Sequence, residues 1–154
     1  GGVLREALVQ RDGDGATPLH RAARAGHAEA ARVLVDAATA NGALREVLLQ
    51  REGGWGTPLH LAAYEGHAAA VRALADAAAA TGALHEVLLQ PDGGGGTPLH
   101  RAAWRGRAEA ARALVDAAAS RGVLQEVLQH TCYGRTPLDL AIGAARPVLE
   151  EAAQ

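Results

Sequence analysis

Thr17-Pro18-Leu19-His20-Arg21-Ala22-Ala23-Arg24-Ala25-Gly26-His27 opens a pattern that the chain writes again. It returns as Thr57-Pro58-Leu59-His60-Leu61-Ala62-Ala63-Tyr64-Glu65-Gly66-His67, then from Thr97 to Arg107, and in altered form as Thr136-Pro137-Leu138-Asp139. The spacings from Thr to Thr are 40, 40 and 39 residues. A fixed period of this size means that one supersecondary unit is copied along the chain.

Each unit reads as three short elements. A Thr N-cap followed by Pro at the first helical position starts the first, and Gly26, Gly66 and Gly106 supply its left-handed stop. The second element starts near His27 and sets Ala30, Ala31, Val33, Leu34, Ala37 and Ala38 in an apolar stripe at helical spacing. It ends at Asn41-Gly42, Thr81-Gly82 and Arg121-Gly122. The third places Leu44, Val47 and Leu48 on one helical face, and the pattern returns at Leu84, Val87, Leu88 and at Leu124, Val127, Leu128. A Gly-rich loop such as Glu52-Gly53-Gly54-Trp55-Gly56 leads to the next Thr-Pro.

Thr-Pro-Leu-His-x-Ala-Ala-x-x-Gly-His resembles the ankyrin repeat, read directly at 17–27 and 57–67, with Arg107 in place of the last His in the third copy. Ankyrin repeats typically run to about 33 residues. The extra length falls in a longer second helix and in the Leu-Arg-Glu-Val-Leu-Leu segment. The expectation is an all-α fold: an ankyrin-type helical repeat solenoid with an extra short helix per repeat and Gly-rich hairpin loops. Residues 1–154 read as a single domain. Residues 1–16 match the end of a preceding repeat, with Leu4 and Leu8 on its apolar face. Full repeats span 17–56, 57–96 and 97–135, and 136–154 form a capping repeat. In the cap, Pro147 starts a last helix, with Glu150, Glu151 and Gln154 on its polar side. The opening Gly1-Gly2, without Met, reads as the start of an excised piece.

Composition narrows the function. Fifteen basic residues, all Arg, stand against 17 acidic ones, a net charge of -2. That balance gives no field drawing the whole surface to nucleic acid. No apolar run approaches the roughly 20 residues that span a bilayer, so no membrane role is expected. Cys132 is the single cysteine, which excludes an internal disulfide and fits a reducing, intracellular setting, cytoplasmic or nuclear.

The resemblance implies a protein partner bound on the concave side, built by hairpin tips and first helices, and a monomeric scaffold. Carried over, the tip positions include Trp55, Tyr133 and Arg135. The first-helix positions include Arg21, Arg24, Leu61, Tyr64, Glu65, Arg101, Trp104 and Arg105. The repeats agree almost everywhere except here, and all four aromatics of the chain fall among these positions. Trp, Tyr and Arg are the residue types that dominate interface energetics. Local packing is the competing account: Trp55 covering its loop, Tyr133 sealing the last junction. The arginines 21, 24, 101 and 105 raise the prospect of an acidic partner. The alternative function is a structural spacer or self-assembling piece of a longer array, joined through the open face around Leu4 and Leu8.

Chemistry finds little foothold. His20, His60 and His100 occupy the position at which, by the resemblance, His fixes the hairpin, and no carboxylate or Cys recurs beside them at ligand spacing. Gly93 to Gly96 lacks the Gly-Lys-Ser/Thr of a phosphate loop. Cys132 and His130 have no third orienting group, and Cys132 reads as an exposed spectator thiol. His85 and His130 read as surface residues. The expectation is no catalytic residue, no metal site and no cofactor.

Overall fold

A threonine opens every unit. In the computed structural model, which describes residues 2–154, Thr17, Thr57, Thr97 and Thr136 each accept the backbone N–H three residues on. In the three full repeats the residue supplying that N–H is a histidine, whose Nδ1 accepts the Thr backbone N–H in return at 3.1, 3.1 and 3.2 Å. Both orphan donors of the helix start are thereby satisfied. Asp139 plays the histidine's part in the last unit. Gly1 lies outside the described residues, so the reading of an excised start is not addressed there.

Twelve α-helices follow in chain order among the described residues. First helices are α2 (Pro18–Ala25), α5 (Pro58–Glu65), α8 (Pro98–Trp104) and the short α11 (Pro137–Leu140). Second helices are α3 (Ala28–Ala40), α6 (Ala68–Ala80) and α9 (Ala108–Ser120), with α12 (Ala145–Ala152) in that place at the end. The expected third helices are α1 (Gly2–Val9), α4 (Leu44–Leu49), α7 (Leu84–Leu89) and α10 (Leu124–Gln129). First helices pack on first helices, second on second, and each third helix sits at the junction with the following unit. The fold is an all-α repeat solenoid.

Contacts between units repeat with the period. The Nε2–H of each buried histidine donates to a carbonyl of the loop that leads from its unit into the next: His60 to Gly96 at 2.9 Å, His100 to Arg135 at 3.0 Å, and His20 to Gln50 at 2.8 Å. His67 Nε2 bonds the Arg24 carbonyl at the end of α2, and Arg107 Nε bonds the Tyr64 carbonyl at the end of α5. The Arg at position 107 therefore does the same work as the His it replaces. That contact also fixes the glycines. Gly26 has φ 75°, and a Cβ there would lie 2.6 Å from the His67 ring. On the outer side, Arg5–Glu46, Arg45–Glu86 and His85–Glu126 pair successive third helices at 2.8, 2.7 and 2.6 Å. His85 is the surface residue expected, and it is paired there; exposed pairs of this kind contribute at most about 1 kcal/mol.

Position in the stack corrects several expectations. Val33 and Ala30 are exposed, Val33 at 66%, whereas their counterparts Ala70, Ala73, Ala110 and Ala113 are buried. The difference arises because, among the described residues, no second helix packs on the N-terminal side of α3. Val35, absent from the expected stripe, is buried instead. Leu8 is buried, but Leu4 is 46% exposed on the same open face. The last helix starts at Ala145, so Pro147 lies within its first turn, where the missing N–H has no intrahelical partner to lose. Val148 and Leu149 are buried while Glu150, Glu151 and Gln154 stay exposed. Cys132 is half-buried and donates to the Gly94 carbonyl at 3.2 Å, so it is a tied hairpin residue and not an exposed thiol. His130 is likewise half-buried, with its ring edge-on to His100 at 6.1 Å.

Two expectations for solution experiments arise from this core. Leu99 is 2% exposed in the middle of the array, so Leu99→Ala should lose about 2–5 kcal/mol in urea unfolding, the usual cost of a core cavity. Acid should also weaken the stack. Burial pushes His60 and His20 from 6.5 down to about 4, and lowers His100 too. Between those values the unfolded chain binds protons that the folded chain refuses. Stability should be full above pH 6.5, fall as the pH drops toward 4, and level off below for these groups; a flat midpoint from pH 7 to 4.5 would contradict the neutral-histidine assignment.

Candidate protein-binding surface

The hairpin tips are built by their acidic residues. Asp92 Oδ1 accepts from the backbone N–H groups of Gly94 and Gly96 at 2.9 and 3.0 Å, and its other oxygen accepts from Arg101 Nε. Asp12 repeats this at 2.9 and 3.0 Å with Asp14 and Ala16, and takes Arg21 Nε at 2.8 Å. Burial alone would raise the Asp92 pKa, but the Arg101 hydrogen bond and the Gly96 N–H overcome it and hold the carboxyl below its ordinary value. The middle tip departs from the scheme. Leu61 stands where Arg21 and Arg101 stand, and Glu52 turns instead to Arg24 at 2.9 Å. This tip forms a single 3-10 turn, Gly53–Trp55.

The last tip is one residue shorter, which accounts for the 39-residue spacing. Cys132 and Arg135 exchange both backbone hydrogen bonds around Tyr133 and Gly134, at φ 52° and 76°. Positive φ at both central residues is a type I′ turn, which normally takes Asn or Gly at its first position. A tyrosine there is strained, and its side chain is 90% exposed.

Three of the expected aromatics form one row. Trp55 meets Tyr64 edge-on at 5.7 Å, and Tyr64 lies 6.4 Å from Trp104. The Arg105 guanidinium sits 4.2 Å over the Tyr64 ring, a cation–π contact. Trp55 and Trp104 are 57% and 49% exposed. Arg24 and Glu65 border this row at a shallow recess shared with Trp55, Leu61 and Tyr64. Tyr133 and Arg135 lie one unit further on, across a recess from Trp104. Arg21 stands apart, at the first tip, with Asp12 and Asp14 each at 2.7 Å.

The cluster of four arginines is less cationic than its sequence suggests. Arg21, Arg24 and Arg101 each carry a carboxylate of their own chain, whereas Arg105 and Arg135 have none within ion-pair distance among the described residues. Of the four, only Arg105 is left to meet an acidic partner, with Arg135 beyond them. Asp92 and Glu52 escaped the sequence reading, although a signal existed: Asp recurs nine residues before Arg at 12/21 and 92/101, and both members change together at 52/61. The buried histidines are consumed by capping bonds, and no cluster of three or more metal-ligating side chains occurs among the described residues. Nor does any helix among them have the length and apolarity to cross a membrane.

Comparison with known proteins agrees with this architecture. A family model described as ankyrin repeats (3 copies) matches residues 37–122, more than half of the chain, and one described as ankyrin repeat matches residues 14–44. No curated protein matches the chain. The chain belongs to the ankyrin-repeat family.

Proposed function

We propose that this chain is an intracellular protein-binding scaffold that works without cofactor and engages a partner protein on its concave face, made by the hairpin tips and first helices. Ankyrin repeats are in general protein–protein interaction modules, and the proteins that carry them are typically scaffolds without catalytic activity. The observation that carries the finer reading is the row Trp55–Tyr64–Trp104 with Arg105 stacked on its centre. Its two indoles stay half-exposed, although the neighbouring repeats bury Leu, Val and Ala almost completely. Rigid aromatics beside an arginine are the usual energetic centre of an interface. The monomer serves this role, with Arg24, Glu65, Arg101, Tyr133 and Arg135 flanking the row and Arg21 at its margin.

A second reading, self-association, has one observation in its favour: Val3, Leu4 and Val33 form an exposed apolar face at the N-terminal end. Light scattering separates the two. Mass rising with concentration, and returning to monomer in Val33→Glu, supports association; constant mass supports the scaffold.

For the leading reading, affinity capture from the source organism should recover a partner with the native chain and lose it with the Tyr64→Ala/Trp104→Ala variant. Trp104→Ala alone should weaken binding by about 1 kcal/mol or more, the scale of a hot-spot residue, while its melting temperature stays close to that of the native chain. Intact affinity with a large loss of stability would place Trp104 in the packing instead.

A further inference from the structure

Two recesses lie side by side on the tip-and-first-helix face. One, of about 240 Å³, is walled by Trp55, Tyr64 and Arg101 over a floor of buried Leu61. The other, of about 320 Å³, is walled by Trp104, Tyr133 and Arg135, with Leu140 at its base. Arg101 lines both. Its guanidinium is clamped by the buried Asp92 carboxylate, so it stands between them as a fixed ridge.

The spacing of these recesses selects a backbone. They belong to successive first helices, and helices packed side by side lie about 8–10 Å apart. A polyproline II segment has three residues per turn and rises about 3.1 Å per residue. Side chains at i and i+3 therefore fall on one side, about 9 Å apart. A β-strand places same-face side chains about 7 or 13 Å apart, missing this interval on either side. An α-helix spans about 10.5 Å between i and i+7, but it would press its i+3 and i+4 side chains onto the Arg101 ridge.

Hydrogen bonding and charge point the same way. Neither the Trp55 nor the Trp104 indole N–H has an acceptor among the described residues, and both indoles are half-exposed. A polyproline II backbone makes no internal hydrogen bonds, so its carbonyls are open to such donors. Arg105 and Arg135 keep charges that no carboxylate of the chain neutralises. Arg135 lines the second recess, and Arg105 lies over the Tyr64 ring that walls the first.

We propose that this groove takes a proline-rich, left-handed extended segment of a partner protein. Two apolar side chains three residues apart seat in the two recesses, and a carboxylate after the second of them meets Arg135, while Arg105 keeps the first recess cationic. The inference rests on the concave-face reading and names the occupant that the reading leaves open.

Both tryptophans of the chain are in the groove, so intrinsic fluorescence of the native protein reports its occupancy directly. The probe is a short end-blocked peptide with prolines at i and i+3 and a glutamate after the second. Two controls accompany it: the same residues re-spaced to alternate, and an amphipathic helix-forming peptide. The proline peptide should give a saturable shift, and Trp104→Ala and Arg135→Glu should each weaken it about tenfold, the scale of one strong contact. Tyr133→Gly relaxes the left-handed backbone while removing a recess wall, so it should weaken binding with no fall in melting temperature. Equal or tighter binding by either control, or no saturation by the proline peptide, overturns the proposal. If the proline peptide fails while partner capture still depends on Tyr64 and Trp104, the concave-face reading survives alone. If capture ignores those residues, both fall.

Discussion

One buried imidazole per repeat holds the architecture in register. Its Nδ1 side belongs to its own unit, where it completes the cap that the threonine begins. Its Nε2 side reaches the end of that unit, where it bonds a carbonyl of the loop leading into the neighbour. Only the neutral ring with its proton on Nε2 satisfies both, because a protonated Nδ1 has no lone pair for the threonine N–H. Burial enforces that state by disfavouring the charge. Helix start, hairpin and stacking are therefore one coupled arrangement.

Much of this was written in the primary structure. The Thr-Pro starts, the Gly stops and the apolar face of the third helix each have a local cause, and local causes survive translation into coordinates. The role of Arg107 was not legible, because its partner is a carbonyl 43 residues earlier in the chain. The fate of Val33 was equally hidden. Its spacing matches the buried Ala73 and Ala113, and only its place at the end of the stack sets it apart.

The surface shows the same division. Internal comparison of repeats separated scaffold from variable positions, and the aromatics among the latter do meet, apart from Tyr133. What composition overstated was charge. Arginines were counted as a patch, while the carboxylates that neutralise three of them sit in the hairpins, seven or more residues away in sequence. The single replacement of Arg by Leu61 in the middle unit removes one such pair, releases Glu52 to Arg24 and opens an apolar floor beneath Trp55 and Tyr64.

The third helix has a mechanical consequence. A unit of two helices meets its neighbour along two parallel lines, and such a stack twists readily about its long axis. Here α4 also touches α5 and α6, and α7 also touches α8 and α9, so each joint rests on three points that are not collinear. Torsion must then break apolar contacts at Val47, Leu48, Val87 or Leu88, all nearly inaccessible to water. A rod braced in this way keeps the curvature of its inner face before anything lies against it, and a guest loses less affinity to ordering its host.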